Sequence, residues 1–361
     1  MKIGILTFHA ADNHGGVLQC MALQNMVSQI IGSDNVEIVD FPLPGSNPII
    51  DGDNTDELTR KRICRLDRFK AFRNNNLRLS DYTYKGADEL KTTRYDAIIV
   101  GSDQVWNRSI ISGLEDVYFL KWGSEACKIS YAASIGYSGD SCEYALWLQN
   151  NTMEFDSISV REHSSVTLFG DRADRIAYCL DPTMLWDKTY WEKYEKKPDF
   201  IDDNAEYVFM YALGYPWNQN EEIMAANLAS KIAKAEGLKI CHNYWGDYKK
   251  RLPADAINCY FSDPAEFLWI MHHAKYVVCC SFHGTVFSLI YERPFYSVHT
   301  GGNGSRMMDL CKLAGVSNRC VDTESEFNAY KFEIDWDMVR KRLAREKESS
   351  LKYLKNALQG V

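Results

Sequence analysis

The chain has no apolar run that could cross a bilayer. Stretches such as Ala97 to Val100 and Tyr276 to Cys280 are strand-sized, far short of the roughly 20 residues a spanning helix needs. It has no leader pattern either: Met1-Lys2 passes directly into the strand-like Ile3 to Phe8, without an apolar h-region or a small-residue cleavage site. A cytoplasmic protein with at most peripheral membrane contact is therefore expected. Basic residues are in deficit, 41 Lys and Arg against 49 Asp and Glu for a net charge of −8, which argues against a nucleic-acid-binding surface. The eleven cysteines include no C-x-x-C pair, are odd in number and partly sit in apolar segments such as Cys279-Cys280. Reduced, buried thiols fit this better than a disulfide framework. Adjacent His272 and His273 cannot both face one metal from a regular helix, so no metal site is expected. There is no G-x-G-x-x-G and no Walker lysine, which weighs against dinucleotide and P-loop folds. Internal repeats and low-complexity tracts are also missing.

At 361 residues the chain exceeds what one core usually supports, and two domains of about 150 to 180 residues are expected. Short apolar runs alternate with helix-period segments, the pattern of βαβ units around parallel sheets. Strand candidates are Ile3 to Phe8, Val36 to Phe41, Ala97 to Gly101, Lys128 to Ala132 and Ser157 to Val160, then Tyr207 to Leu213, Lys239 to Cys241, Tyr276 to Cys280 and Phe295 to Val298. The segment from Asp181 to Trp186, followed by charged residues through Pro198, marks a boundary. This predicts an N-terminal Rossmann-like domain over 1–180 and a second over 181–335, with sites facing each other across a cleft. An amphipathic helix is expected over 336–361, with Val339, Leu343, Leu351, Leu354 and Leu358 on its apolar stripe. The basic segment Leu58 to Leu79 carries Leu66, Phe69 and Phe72 at helical spacing and is expected to pack its stripe on the N-terminal domain.

Chemistry concentrates at strand ends. Ser281-Phe-His283-Gly284-Thr285 follows an apolar strand and precedes a short helix stopped at Pro294. Ligands of open parallel sheets sit beyond such strand ends. A helix beginning at Gly284 or Thr285 would aim its free N–H groups at an anion there. The dipole would also favour the neutral imidazole of His283, which suits a general acid/base near neutral pH. Gly284 admits close approach of a backbone or ligand. The competing reading of His283 is a turn histidine that only anchors a loop.

Four further clusters join it. Asn13-His14-Gly15-Gly16 follows the first strand, where the glycines allow close approach and Asn13 or His14 can meet sugar hydroxyls; a flexible turn is the alternative. Ser102-Asp103-Gln104 with Trp106 combines hydroxyl-binding groups with an aromatic plane for a sugar ring, against an Asp-capped helix with a core Trp. Arg161, at the end of Ser157 to Val160, offers a fork for carboxylate or phosphate, against a salt bridge to Glu162. Arg306, on the loop that opens at Gly301, is a second candidate anion ligand, against simple solvation.

Order and spacing of these pieces resemble the polysaccharide pyruvyl transferase family. The matching segments are Asn13-x-Gly-Gly with Leu18-Gln19 and Ala22-Leu23, Val100-Gly-Ser-Asp-Gln-Val-Trp-Asn107, Lys128-Ile-Ser-Tyr-Ala-Ala-Ser134, Ser159-Val-Arg-Glu162, Leu180-Asp-Pro-Thr183 and Ser281-Phe-His-Gly284, spread over nearly the whole chain. The resemblance implies a GT-B-like pair of Rossmann domains. It also implies transfer of the enolpyruvyl carbons of phosphoenolpyruvate, as co-substrate and without a further cofactor, onto a sugar of a cell-surface polysaccharide or its precursor. A cyclic ketal and phosphate are the implied products. The family's functional histidine maps onto His283 and its donor-binding arginine onto Arg161. Some members carry a second arginine two positions before the histidine; here that position is Ser281, which leaves Arg306, Lys128 or the helix N-terminus after His283 as the donor's second charge partner. Ser281, Gly284, Thr285 and Arg306 are thus assigned with Arg161 to the donor, and Asn13, His14, Gly15, Gly16, Ser102, Asp103, Gln104 and Trp106 to the acceptor. A nucleotide-sugar glycosyltransferase on the same architecture, or a carbohydrate-binding relative without catalysis, are the alternatives, since fold does not fix function.

Overall fold

The computed structural model describes residues 1–32, 34–44, 57–123, 125–136, 141–212, 219–243, 252–299, 304–323 and 333–361. Leu213 and the loop Gly301 to Asn303 lie outside these residues, as do the side chains of Leu58 and Lys61. In the first half the elements are β1 (Ile3–Leu6), α1 (His14–Ile31), β2 (Val36–Ile38), α2 (Glu57–Asn76), α3 (Ala87–Leu90), β3 (Ala97–Val100), α4 (Glu115–Tyr118), β4 (Cys127–Ser130), α5 (Cys142–Asn151), β5 (Ser159–Val160) and β6 (Ala177–Tyr178). In the second they are α6 (Lys188–Glu192), β7 (Tyr207–Tyr211), α7 (Gln219–Glu236), β8 (Lys239–His242), β9 (Ile257–Asn258), α8 (Pro264–His273), β10 (Tyr276–Cys279), α9 (Phe282–Ile290), β11 (Phe295–Val298), α10 (Ser305–Ala314), β12 (Cys320–Val321) and α11 (Trp336–Gln359).

Two compact units divide the chain. The first comprises 1–51, 73–186 and 344–361, the second 52–72 and 187–343. The division after Trp186 has local causes: Asp181 is bonded to Arg161 and Ser102, and Trp186 Nε1 donates to the Ala22 carbonyl at 3.0 Å. The basic segment departs from expectation, because residues up to Phe72 belong with the second unit. There Arg65 stacks on Phe69 and Tyr260 and donates to the Tyr260 carbonyl, while Arg68 pairs with Glu266 at 2.6 Å. The last part of α11 joins the first unit, where Tyr353 donates to the Ser130 carbonyl at 2.8 Å and Ser350 Oγ accepts from Leu180 N at 2.9 Å. All eleven cysteines are free, and all but Cys64, Cys127 and Cys142 are buried. Among the described residues no helix is long and apolar enough to cross a membrane.

The first sheet runs β2-β1-β3-β4, every neighbour parallel. Parallel bridges at Ile129–Ser157 and Ala133–Val160 carry it on to the β5–β6 pair. The second sheet is six-stranded and parallel in the order β12-β11-β10-β7-β8-β9. Counted from β7, this is the 3-2-1-4-5-6 order of doubly wound nucleotide folds, with the order reversing between β7 and β10. In the first sheet it reverses between β1 and β3. Strands such as β1, β3 and β7 are buried along their whole length, as parallel strands covered on both faces must be. These reversals put the ends of β1 and β3 side by side in one unit, and the ends of β7 and β10 side by side in the other.

Candidate active site

In the first unit the crevice at the β1/β3 ends is built by cross-links between the two following loops. Thr7 Oγ1 donates to the Ser102 carbonyl at 2.9 Å, and Gln19 Nε2 donates to Thr7 Oγ1 at 2.8 Å and to the Gly16 carbonyl at 2.9 Å. Asn13 is the N-cap of α1, its side chain accepting from Gly16 N at 3.2 Å. His14, Gly15 and Gly16 form the buried first turn of that helix, so the glycines are neither a flexible turn nor a free loop. A Cβ at Gly16 would stand 3.1 Å from the Phe8 carbonyl oxygen and 3.5 Å from Asp103 Oδ2. Its bareness makes room for the Phe8 carbonyl, while Asp103 would be in ordinary contact. That residue has φ 68° in the left-handed region and keeps 15 % of its side chain exposed. Gln104, half-buried beside it, is held by Asn107 Nδ2 at 2.8 Å.

Behind Asp103 lies a buried ionic network assembled from three of the motif segments, those of Asp103, Arg161-Glu162 and Asp181. Arg161, with 1 % of its side chain exposed, donates from Nη1 to Asp181 Oδ2 at 3.0 Å and places Nη2 4.0 Å from Asp103 Oδ1 and Nε 3.5 Å from Glu162 Oε1. Burial opposes its charge, but Glu162, Asp181 and Asp103 outweigh burial and hold the guanidinium above its ordinary value. Ser134 Oγ donates to Glu162 at 2.5 Å, and Ile135 N donates to the same carboxylate at 3.2 Å. Asp181 also accepts from Ser102 Oγ at 3.1 Å and from Thr183 N and Oγ1 at 3.1 and 2.7 Å.

Several assignments change as a result. Arg161 faces three carboxylates and almost no solvent, so the salt-bridge reading describes it better than a donor clamp, and it acts on the placement of Asp103. Ser102 is fully buried and spends its hydroxyl on Asp181 and on the Ala132 carbonyl at 2.8 Å. Trp106 is fully buried, stacked on Phe119 with centroids 5.6 Å apart and packed edge-on by Phe155, its Nε1 donating to the Tyr118 carbonyl. No face is left for a sugar, and Trp106 is a core residue. His14 is 1 % exposed. Asp181, Glu162 and Ser134 escaped assignment to the site; their signal was membership in the same motif segments.

In the second unit, α9 begins earlier than expected. Ser281 is its N-cap and Phe282 its first residue, so His283 sits inside the first turn, beyond the end of β10 at the β7/β10 reversal. The helix forms because Phe282, Val286, Phe287 and Leu289 are all buried, and it stops at Ile290 ahead of Pro294, which cannot continue it. His283 is 6 % exposed. Gly284 serves packing rather than a ligand: a Cβ there would fall 2.7 Å from Cys279 Cβ and 3.0 Å from the Tyr211 ring. Thr285 is fully buried, its hydroxyl on the Ser281 carbonyl at 3.1 Å and on Ser297 Oγ at 2.8 Å, which removes it from the donor set. Arg306 is half-buried in the first turn of α10, which follows β11. Lys128 lies within β4, not beyond its end, and pairs with Glu154 at 2.5 Å. The N-termini of α9 and α10 thus both follow the carboxyl ends of neighbouring strands, an arrangement suited to anions.

Two parallel sheets, each with one strand-order reversal, define a GT-B-like pair of α/β units. Solved structures share this fold. Anabaena HepE in complex with UDP-glucose superposes with a TM-score of 0.57 at 13 % identity, covering 100 % of both chains. The UDP-GlcNAc 2-epimerase of Neisseria meningitidis bound to UDP-GlcNAc gives 0.51 at 11 % identity, covering 96 % of this chain and 99 % of that one. No curated protein sequence matches. The polysaccharide pyruvyl transferase family model matches residues 13–300, and the chain belongs to that family.

Proposed function

We propose that the protein moves the enolpyruvyl group of phosphoenolpyruvate onto two hydroxyls of a sugar in a cell-surface polysaccharide or its precursor, forming a pyruvate ketal and releasing phosphate. The observation that carries this reading is the position of His283 in the first turn of α9, directly beyond β10 at the strand-order reversal of the second sheet. Parallel α/β sheets bind their ligands there. A donor bearing a carboxylate and a phosphate is matched by the N-termini of α9 and α10, with Arg306 supplying a formal positive charge. Where some relatives carry a second arginine this chain has Ser281, at the N-cap position of α9 without a side-chain capping hydrogen bond.

In this scheme C3 of the enol takes a proton and C2 becomes electron-poor. One sugar hydroxyl adds to C2 and gives up its proton, the C2–O bond to phosphate breaks, and the second hydroxyl closes the ketal. Of the two hydroxyl protons, one balances the proton gained by C3 and the other leaves with phosphate. His283 moves protons in this sequence; in the first unit, Asp103 and Gln104 are the partly exposed polar side chains suited to sugar hydroxyls. Arg161 keeps Asp103 in place.

Phosphate release and acceptor mass, followed with phosphoenolpyruvate and a panel of sugars, test the proposal. His283→Ala should lose about a hundredfold or more in rate, the usual contribution of a general acid/base, while keeping the thermal stabilisation given by the donor. Stabilisation by nucleotide sugars but not by phosphoenolpyruvate would overturn it in favour of glycosyl transfer. Near-wild-type phosphate release by His283→Ala would remove the histidine from the chemistry.

A further inference from the structure

At the other end of β10, before the strand begins, α8 finishes with His272 and His273. Adjacent histidines of a regular helix were not expected to face one metal; both lie in the last turn of α8, ahead of an extended Ala274, and their rings nevertheless come together. The two rings lie with centroids 4.9 Å apart. Glu195, just after α6, joins them, and one ligand atom from each of Glu195, His272 and His273 lies within 4.8 Å of the others.

From this geometry we propose that Glu195, His272 and His273 form a binding site for a divalent first-row metal of the zinc class. Imidazole nitrogen and carboxylate oxygen are a ligand set zinc accepts, and two histidines with one carboxylate leave a fourth position for water. His272 Nδ1 stands 3.0 and 3.2 Å from the two Glu195 oxygens. That approximates the edge of about 3.3 Å between neighbouring ligands of a tetrahedral ion with bonds of about 2.0 to 2.1 Å. A metal ion would replace the proton these atoms now share. His273 Nδ1 lies 2.9 Å from the Trp269 carbonyl, which can only accept, so Nδ1 carries the proton and Nε2 presents its lone pair. Metal-ligating histidines are oriented by the same kind of outer contact.

The rings are also held in place. His272 stacks on Tyr291 at 4.6 Å with planes 10° apart, and His273 stacks on Trp269 at 4.1 Å and 14°. Glu192 Oε1 is 3.9 Å from His272 Nε2 and adds negative charge to the site. A bound ion would clasp the segment after α6 to the end of α8. His272 and His273 precede β10 while His283 follows it, so the site lies at the opposite end of that strand and owes nothing to the proposed chemistry.

Chelator-stripped protein dialysed against Zn²⁺ or Co²⁺ tests this. Wild type should take up about one equivalent with a cobalt spectrum of nitrogen and oxygen ligands, and its melting temperature should rise with Zn²⁺. His273→Ala, at an exposed position, should fold normally by circular dichroism and bind at least about tenfold more weakly. Glu195→Gln should behave alike. Three results would each overturn the proposal: no uptake by wild type, equal uptake by wild type and both variants, or a thiolate-dominated cobalt spectrum that His273→Ala leaves unchanged.

Discussion

Arg161 Nη1 and Asp181 Oδ2 lie 3.0 Å apart, with 1 % and 0 % of their side chains exposed. Removing one member of a buried pair strands the other's charge and typically costs about 3 to 5 kcal/mol. Arg161→Met should therefore lower the unfolding free energy by that order, and the denaturation midpoint with it, since Asp181 and Glu162 would remain buried without their cation. Asp181→Asn should recover part of the loss in the double variant. A donor clamp would behave otherwise: Arg161→Met would keep its midpoint and show only a raised KM for phosphoenolpyruvate.

This pair also marks the limit of what the sequence makes legible. The strands could be read because parallel strands buried on both faces are short, unbroken apolar runs, and each strand expected from Ile3 to Val298 has its counterpart. Arg161 and Glu162 are adjacent, so their contact was open to inspection. Asp103 and Asp181 reach Arg161 only because the order β1-β3-β4 and the bridge to Val160 bring their loops together. Trp106 looked like a sugar platform because a tryptophan beside polar residues has the same local pattern whether it faces solvent or, as here, Phe119 and Phe155. The error of two or three residues at the start of α9 has a similar origin: Ser281 is an ordinary N-cap type, but a glycine at the third helical position disguises the first turn.

His9 and Asp40, which follow β1 and β2, supply a pH dependence. His9 Nε2 is 2.8 Å from Asp40 Oδ1, and Thr83 Oγ1 donates to Asp40 Oδ2 at 2.5 Å. Burial acts to raise the Asp40 pKa, but the hydrogen bonds from His9 and Thr83, with the charge of Arg73, outweigh it and hold the carboxyl below its ordinary value. A carboxyl depressed in the folded state contributes stability above its unfolded pKa of about 3.9 and loses it as pH falls through the lower, folded value. Asp40→Asn should be less stable than wild type at neutral pH, and the gap should close below about pH 4. Urea midpoints measured at pH 7 and near pH 3 check this; a gap that does not change with pH would refute it.

Gly284 tests whether His283 depends on how closely α9 lies on the sheet. An alanine Cβ would stand 2.7 Å from Cys279 Cβ and 3.0 Å from Tyr211 Cδ1, closer than van der Waals contact allows. Overpacking of this kind costs about 1 to 3 kcal/mol. Gly284→Ala should lower the melting temperature and, by lifting the first turn of α9, reduce the rate of phosphate release. Unchanged stability would mean that Cys279 and Tyr211 can retreat without cost.

Asp103 allows chemistry to be separated from conformation. Its φ of 68° is costly for most side chains but accessible to asparagine and glycine, and its carboxylate stands 4.0 Å from Arg161 Nη2 at the partly exposed end of β3. Asp103→Asn keeps the backbone preference and the side-chain size while removing the charge that would orient a sugar hydroxyl or take its proton. Arg161 would retain Asp181 and Glu162, so the fold should hold and the melting temperature should stay near that of wild type. Phosphate release should nevertheless fall by about a hundredfold, the scale of a lost acid/base group. Asp103→Ala should lose both, because alanine pays the strain of a left-handed backbone as well. If Asp103→Asn turned over at the wild-type rate while Asp103→Ala unfolded early, Asp103 would be a turn residue whose carboxylate serves only to neutralise Arg161.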